Sequence, residues 1–150
     1  MGKKRIIEKS QEELIKEREK VDSVIRKGTN ASAVPGQKEG RIYVFSSYNN
    51  TIITLTDHKG DVIKWASAGS IGFKGTKKAT PFAASKVAEA IVIAAKKFGI
   101  EKVKVLVKGI GSGRESALRS VATHGLTITT ITDITPIPHN GCRAKKTRRV

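Results

Sequence analysis

The sequence predicts one α/β domain: a mixed five-stranded sheet in the order βββαβαβ with two helices packed on it. Three observations predict it. From residue 41 onward, apolar and polar residues alternate at period two through three successive runs joined by short polar turns. Two further runs of this kind follow, each preceded by a stretch of helical period that opens on helix-start residues and closes on glycine. The apolar fraction of 38% is enough for one core, built mostly from Val, Ile, Leu and Ala, because only four Phe, two Tyr and one Trp contribute.

Residues 1–40 form a charged extension. Residues 8–27 read as a helix, with Ser10 and Glu13 spaced as a capping box and Leu14, Val21 and Ile25 as a thin apolar stripe. That stripe is too narrow to fold alone, so the helix docks on something or frays. Residues 28–40 are linker by composition, and the domain boundary falls near Gly40.

The domain proper spans residues 41–138. Residues 41–47 are the first strand, with Ile42, Val44 and Ser46 on one face and Tyr43 and Phe45 on the other. Tyr48-Asn49-Asn50 turns the chain into a strand over 51–57, and His58-Lys59-Gly60 turns it again into a strand over 61–67 that contains Trp65. Residues 68–78 read as a loop with three glycines and three lysines. Thr80-Pro81 then opens a helix, Thr as N-cap and Pro at the first position. Its expected buried stripe is Phe82, Val87, Ala90, Ile91, Ala94, Ala95 and Phe98, and Gly99 ends it. A strand over 102–108, a glycine loop, a helix over 114–124 closed by Gly125, and a strand over 127–135 complete the order. Strands that alternate with helices call for parallel neighbours and right-handed crossovers.

Charge narrows the function. The chain carries 29 Lys and Arg against 13 Asp and Glu, a net charge of +16. It is distributed as a mixed head, a basic body and, over residues 139–150, a tail with five cations and no acid. Such a balance suits a surface that tracks phosphates. Pro136 and Pro138 stop the last strand, and Asn140-Gly141 permits a tight turn with positive φ. Beyond it the tail lacks the apolar surface to offset its conformational entropy, so a polyanion has to order it. The same Asn-Gly step exposes Asn140 to deamidation and isoaspartate formation, since glycine offers no side chain to hinder attack of its nitrogen.

A membrane partner is not expected: no run of eighteen apolar residues exists, and the one helical stretch of amphipathic kind is too acidic. One cysteine, Cys142, excludes an internal disulfide framework and fits a reducing compartment, with the cytoplasm as default. No cofactor, metal or catalytic residue is expected. His139 and Cys142 are two ligands short of a structural zinc site, and neither a nucleophile turn nor a carboxylate pair at a cleft is present. His124 reads as a helix C-cap.

Two glycine-rich segments are candidate phosphate contacts. Gly109-Ile-Gly111-Ser112-Gly113-Arg114 follows a strand and opens a helix, where glycines admit a phosphate to the backbone and free amides point at it. The dinucleotide fingerprint needs its third glycine at residue 114, which is Arg, so a fixed nucleic-acid phosphate with Arg114 and Arg119 nearby is preferred. The alternative is a phosphate-ligand-binding enzyme built on the 109–114 loop, although the acid about twenty residues on, Asp133, lies at the end of a strand with no second βαβ half to follow. In the segment over 69–78, small residues with Lys74, Lys77 and Lys78 suit close approach to an RNA backbone. Both segments precede a helix start, and such loops fall on one edge of a sheet.

Several blocks together carry a resemblance. Thr135-Pro-Ile-Pro-His-Asn-Gly-Cys-Arg143, Tyr48-Asn-Asn-Thr51, Trp65-Ala-Ser-Ala-Gly69, Gly72-Phe-Lys-Gly-Thr-Lys-Lys78, Thr80-Pro-Phe-Ala-Ala84 and Lys108-Gly-Ile-Gly-Ser-Gly-Arg114 resemble, in order, the blocks of the universal small-ribosomal-subunit protein eleven family. The resemblance covers residues 41–150. It implies a mixed sheet with two helices and a structural, non-enzymatic role. It also implies binding to small-subunit ribosomal RNA in the platform, beside the exit side of the messenger path, with neighbouring platform proteins as partners. The family's RNA contacts carry over onto Asn49 and Asn50; Gly69, Lys74, Gly75, Lys77 and Lys78; Gly111, Ser112, Gly113, Arg114 and Arg119. In the tail they fall on His139, Asn140, Gly141, Arg143, Lys145, Lys146, Arg148 and Arg149. The family's isoaspartate falls on Asn140. Two departures stand out: Ala144 and Thr147 interrupt the bacterial tail pattern, and the head over 1–40 is longer and more acidic than the family's. The tail favours a bacterial type, with an organelle ribosome as the other source.

Overall fold

The computed structural model describes residues 11–27 and 39–147. Five strands form one sheet: β1 (Glu39–Ser46), β2 (Thr51–Asp57), β3 (Val62–Ser67), β4 (Lys102–Lys108) and β5 (Thr127–Asp133). Their spatial order is β3-β2-β1-β4-β5. The β1–β2 and β2–β3 pairs are antiparallel, and β1–β4 and β4–β5 are parallel, so the mixed sheet expected from the element order is observed. It follows that β1, β3, β4 and β5 all run the same way and end at the same edge.

The helices are α1 (Gln11–Lys27), α2 (Ala68–Ile71), α3 (Pro81–Lys97) and α4 (Gly113–Thr123). The two long ones after β1 cover one face of the sheet, α3 against β2 and β3 and α4 against β1 and β4. Between them and the sheet lies the core: Ile42 and Val44, Ile53 and Leu55, Val103, Val105 and Val107, under Val87, Ile91, Val92, Ala117 and Val121. The period-two reading of β1 is correct, with Ile42, Val44 and Ser46 buried and Phe45 exposed. Burying one Ile or Val of this set contributes about 1.5–3 kcal/mol.

α3 starts as the residues dictate. Thr80 Oγ1 accepts from the Ala83 amide at 3.2 Å, and Pro81 fills the first position, where no donor is needed. Its buried face differs from the expected stripe. Ala83, Ala84, Ala88 and Val92 are buried with Val87, Ile91, Ala94 and Ala95, whereas Phe82 is 49% exposed. Small residues let the helix approach the sheet closely, and Phe82 turns away to meet Phe73 edge-on, with 6.0 Å between ring centroids.

Other boundaries also move. β1 begins two residues before the expected start, and β5 ends at Asp133 because the chain is already turning toward Pro136. Residues 68–79, expected as a loop, contain α2 and a 3₁₀ turn over Gly75–Ala79. Ser67 and Ser70 make this possible by capping reciprocally: each side chain accepts from the other's amide, at 3.1 and 2.9 Å. α4 begins at Gly113, and the His124 imidazole caps its end, Nδ1–H donating to the Ser120 carbonyl at 2.8 Å.

The described helix of the extension, α1, is docked. Val21 and Ile25 of α1 are buried, and α1 packs beside α2. Asp22 accepts from Lys86 of α3 at 3.0 Å, and the Arg18 guanidinium lies 5.9 Å from the Phe82 ring centroid. Partial burial of Lys86 opposes its charge, but its bonds to Asp22 and Glu89 outweigh this and raise its pKa. The Leu14 side chain and the Ser10–Glu13 capping box lie outside the described residues.

Candidate nucleic-acid interface

Strand direction brings the candidate segments together. The β1–β2 turn over residues 47–50, the segment over 68–79 after β3, the loop over 109–112 after β4 and the tail after β5 all leave from the edge where β1, β3, β4 and β5 end. The N-termini of α3 and α4 open at that edge too, and their dipoles add positive potential there.

Direct contacts join these segments. Ser112 Oγ donates to the Ala79 carbonyl at 2.7 Å, which ties the glycine loop to the lysine segment and leaves α4 without a side-chain N-cap. The Gly111 amide donates to the Ser46 carbonyl at 3.0 Å. In the turn, the Ser47 amide donates to the Asn50 carbonyl at 2.9 Å. Asn50 keeps its side-chain oxygen buried without a hydrogen-bond partner among the described residues, whereas Asn49 is exposed.

The glycines at 109, 111 and 113 serve a different purpose from the expected one. A Cβ at Gly109 would overlap the Ser46 carbonyl oxygen, one at Gly111 would overlap Ser47, and one at Gly113 would stand 2.8 Å from the Ala84 Cβ. They let β4 and α4 close against the end of β1. Gly111 and Gly113 are therefore buried, and loop amides are engaged within the protein: Gly109 donates to Thr135 Oγ1 at 3.0 Å and Arg114 to the Gly111 carbonyl at 3.3 Å. This is no cradle for a soluble nucleotide, and the enzymatic alternative finds no support in it.

Arg114 and Asp133 are likewise committed. Arg114 Nη2 donates to Asp133 Oδ2, and its Nη1 donates to the Gly109 carbonyl at 2.9 Å. Asp133 Oδ1 accepts from the Thr135 hydroxyl at 2.7 Å and from the Thr135 amide at 2.9 Å. Bonds from Thr135 first, and then Arg114, hold the Asp133 carboxyl well below the usual carboxylate range. The ring of bonds Gly109–Thr135–Asp133–Arg114 fixes the root of the tail to the glycine loop. Sequence reading missed this role of Thr135: its bonds to Asp133 are local, but the links that close the ring, Gly109–Thr135 and Arg114–Asp133, span twenty-six and nineteen residues.

Exposed candidates remain at the edge. Lys74, Gly75 and Lys77 are exposed, as is Gly69, and Lys78 is half-buried with its stem along Gly69. In the tail, His139, Asn140, Gly141, Arg143, Lys145 and Lys146 are exposed; Arg148 and Arg149 lie outside the described residues. Asn140 adopts φ 56°, the left-handed turn expected of the Asn-Gly step. Arg119 stands apart, exposed on α4 about 9 Å along the helix from Gly113. No helix among the described residues is long and apolar enough to cross a membrane.

Comparison with known proteins agrees in extent with the sheet and tail. The profile of the ribosomal protein S11 family matches residues 40–149. The small ribosomal subunit protein uS11 of Treponema pallidum is 57% identical over 112 residues, which are 75% of this chain and 89% of that protein. Its counterpart in Borreliella burgdorferi is 55% identical over 112 residues, 75% of this chain and 86% of the relative. The small ribosomal subunit protein uS11c of Trieres chinensis is 52% identical over 126 residues, 84% of this chain and 97% of the relative.

Proposed function

Since the chain belongs to the ribosomal protein S11 family, whose members are structural and not enzymes, we propose that it is a constituent of the small ribosomal subunit that binds ribosomal RNA of the platform through its C-terminal sheet edge and tail. One observation carries the reading at residue level: four separate candidate segments leave from a single edge, linked by the Ser112–Ala79, Gly111–Ser46 and Gly109–Thr135 bonds. Lys74, Lys77 and Lys78 and the tail cations neutralise phosphates there and release counterions. The glycine loop contributes mainly shape, because its Gly109 and Gly111 amides and the Arg114 guanidinium are engaged within the protein. The folded edge sets the direction in which the tail leaves, and the tail orders as it threads between RNA segments. Neighbouring platform proteins and the nearby messenger path complete the proposed surroundings.

Charge reversal tests the edge. Lys74→Glu with Lys78→Glu should weaken binding to a platform fragment of small-subunit RNA by at least about tenfold at moderate salt. Lys59→Glu, in the turn at the opposite edge, should change it little. Equal losses from both would remove the edge from the interface.

A further inference from the structure

The second face of the sheet, away from α3 and α4, takes no part in the interface just described. Strand alternation and register place Tyr43 and Phe45 of β1, Leu106 of β4 and Trp65 of β3 on it. Phe45 is 42% exposed and Trp65 58%. Cations stand among the rings. Arg41 and Lys104 are register partners, and Lys108 Nζ lies 6.0 Å from the Phe45 ring centroid. Among the described strand residues the one acid of this face is Glu39, at its far end opposite Lys102. A depression of about 330 Å³ lined by Tyr43, Phe45, Leu106, Lys108 and Ile134 continues the face to the root of the tail.

We propose that this helix-free face is a second nucleic-acid site, which stacks two or three bases of a single-stranded segment on Phe45, Tyr43 and Trp65 while Arg41, Lys104 and Lys108 hold its phosphates. Exposed rings interleaved with cations on a sheet are the elements such binding needs. β1 and β3 are two strand spacings apart, roughly 10 Å, a distance that successive unstacked bases can bridge. A protein partner fits less well, because the centre of a protein interface is depleted in lysine and this centre carries it. The face is continuous with the proposed RNA edge, since Phe45 and Lys108 immediately precede Ser46 and Gly109.

The inference rests on the reading of the chain as an RNA-binding protein, and Trp65 separates the two in one experiment, because it is the only tryptophan. The full chain is titrated with an eight-nucleotide oligouridylate, following tryptophan emission and the anisotropy of a label on the oligonucleotide. Saturable quenching of Trp65 is expected, weakened about tenfold by Phe45→Ala and less by Phe45→Tyr, which keeps a ring. Anisotropy showing binding without a change at Trp65, and indifferent to Phe45→Ala, would assign the oligonucleotide to the edge or tail and overturn the second site alone. Absence of any binding by the oligonucleotide, with platform RNA still bound, would also overturn it. If Phe45→Ala instead blocks entry of the chain into reconstituted subunits at unchanged RNA affinity, the face docks a protein and the proposal is wrong.

Discussion

Replacing Gly109 by Ala tests how the interface edge is held together, and Gly60→Ala is its control. Both glycines have positive φ, +100° at Gly109 and +110° at Gly60. Each substitution therefore incurs the left-handed penalty of about 1–2 kcal/mol. They differ in surroundings. A Cβ at Gly60 meets nothing within 4 Å, whereas one at Gly109 overlaps the Ser46 carbonyl oxygen and stands 3.0 Å from the Ser46 carbonyl carbon. Those atoms are main chain of β1, between β2 and β4, and cannot swing away as a side chain would. Overpacking of this kind adds about 1–3 kcal/mol. Gly109→Ala should thus lose about 2 kcal/mol more than Gly60→Ala, which for a chain of this size lowers Tm by a further 4–8 °C or so. Thermal unfolding of both variants by circular dichroism, with urea unfolding as a check on cooperativity, measures the difference. Equal losses would refute the claim that close approach to β1, rather than turn conformation alone, requires glycine at 109.

Three other outcomes are expected. Asp133 has a folded-state pKa below its unfolded value of about 3.9, so its contribution is complete above that pH and fades as pH falls toward the folded value. The Tm gap between the native chain and Asp133→Asn should therefore be widest near neutrality and narrow progressively as pH falls below about 4; a gap independent of pH would contradict the bonds to Thr135 and Arg114. Ile25→Ala should lower stability by about 2 kcal/mol in urea, at the low end for such truncations because detachment of α1 limits the loss. No loss would mean that α1 is not docked in solution. Prolonged incubation at mildly alkaline pH should yield isoaspartate at Asn140 by peptide mapping, and Asn140→Gln should suppress it; modification elsewhere first would count against the exposed turn as the reactive site.

Elements whose signal is local were legible in the sequence. β4 has the expected bounds because Val103, Val105 and Val107 alternate with lysines, and α3 starts where Thr80-Pro81 says it does. The mixed sheet follows from the order of elements alone. What escaped depends on partners distant in sequence. The inward use of Gly109, Gly111 and Gly113 arises only because parallel pairing sets β4 against β1 and brings them onto Ser46 and Ser47. The docking of α1 needs Lys86, sixty-four residues from Asp22. Phe82 reads as core by helical period, yet the neighbouring alanines take the sheet-facing positions. α2 was hidden because its cap pairs two serines instead of a serine with an acid. The candidate site was legible as a set of segments, and for the two glycine-rich ones as sharing one sheet edge, but not in its internal bonds: Arg114 looks like a phosphate contact in sequence and is an organiser of the tail root in space.

Salt-dependent binding of platform RNA by the full chain and by a chain ending at Pro138 tests the central claim most directly. The tail removed carries Arg143, Lys145, Lys146, Arg148 and Arg149. Removing one cation from a phosphate flattens the log–log salt slope by about 0.7–0.9. Tight, salt-sensitive binding by the full chain and a slope shallower by roughly 3.5–4.5 units in the truncated one is the predicted result. Equal slopes and affinities would contradict the tail as a principal RNA contact, and no binding by either chain would contradict the ribosomal RNA interface as a whole.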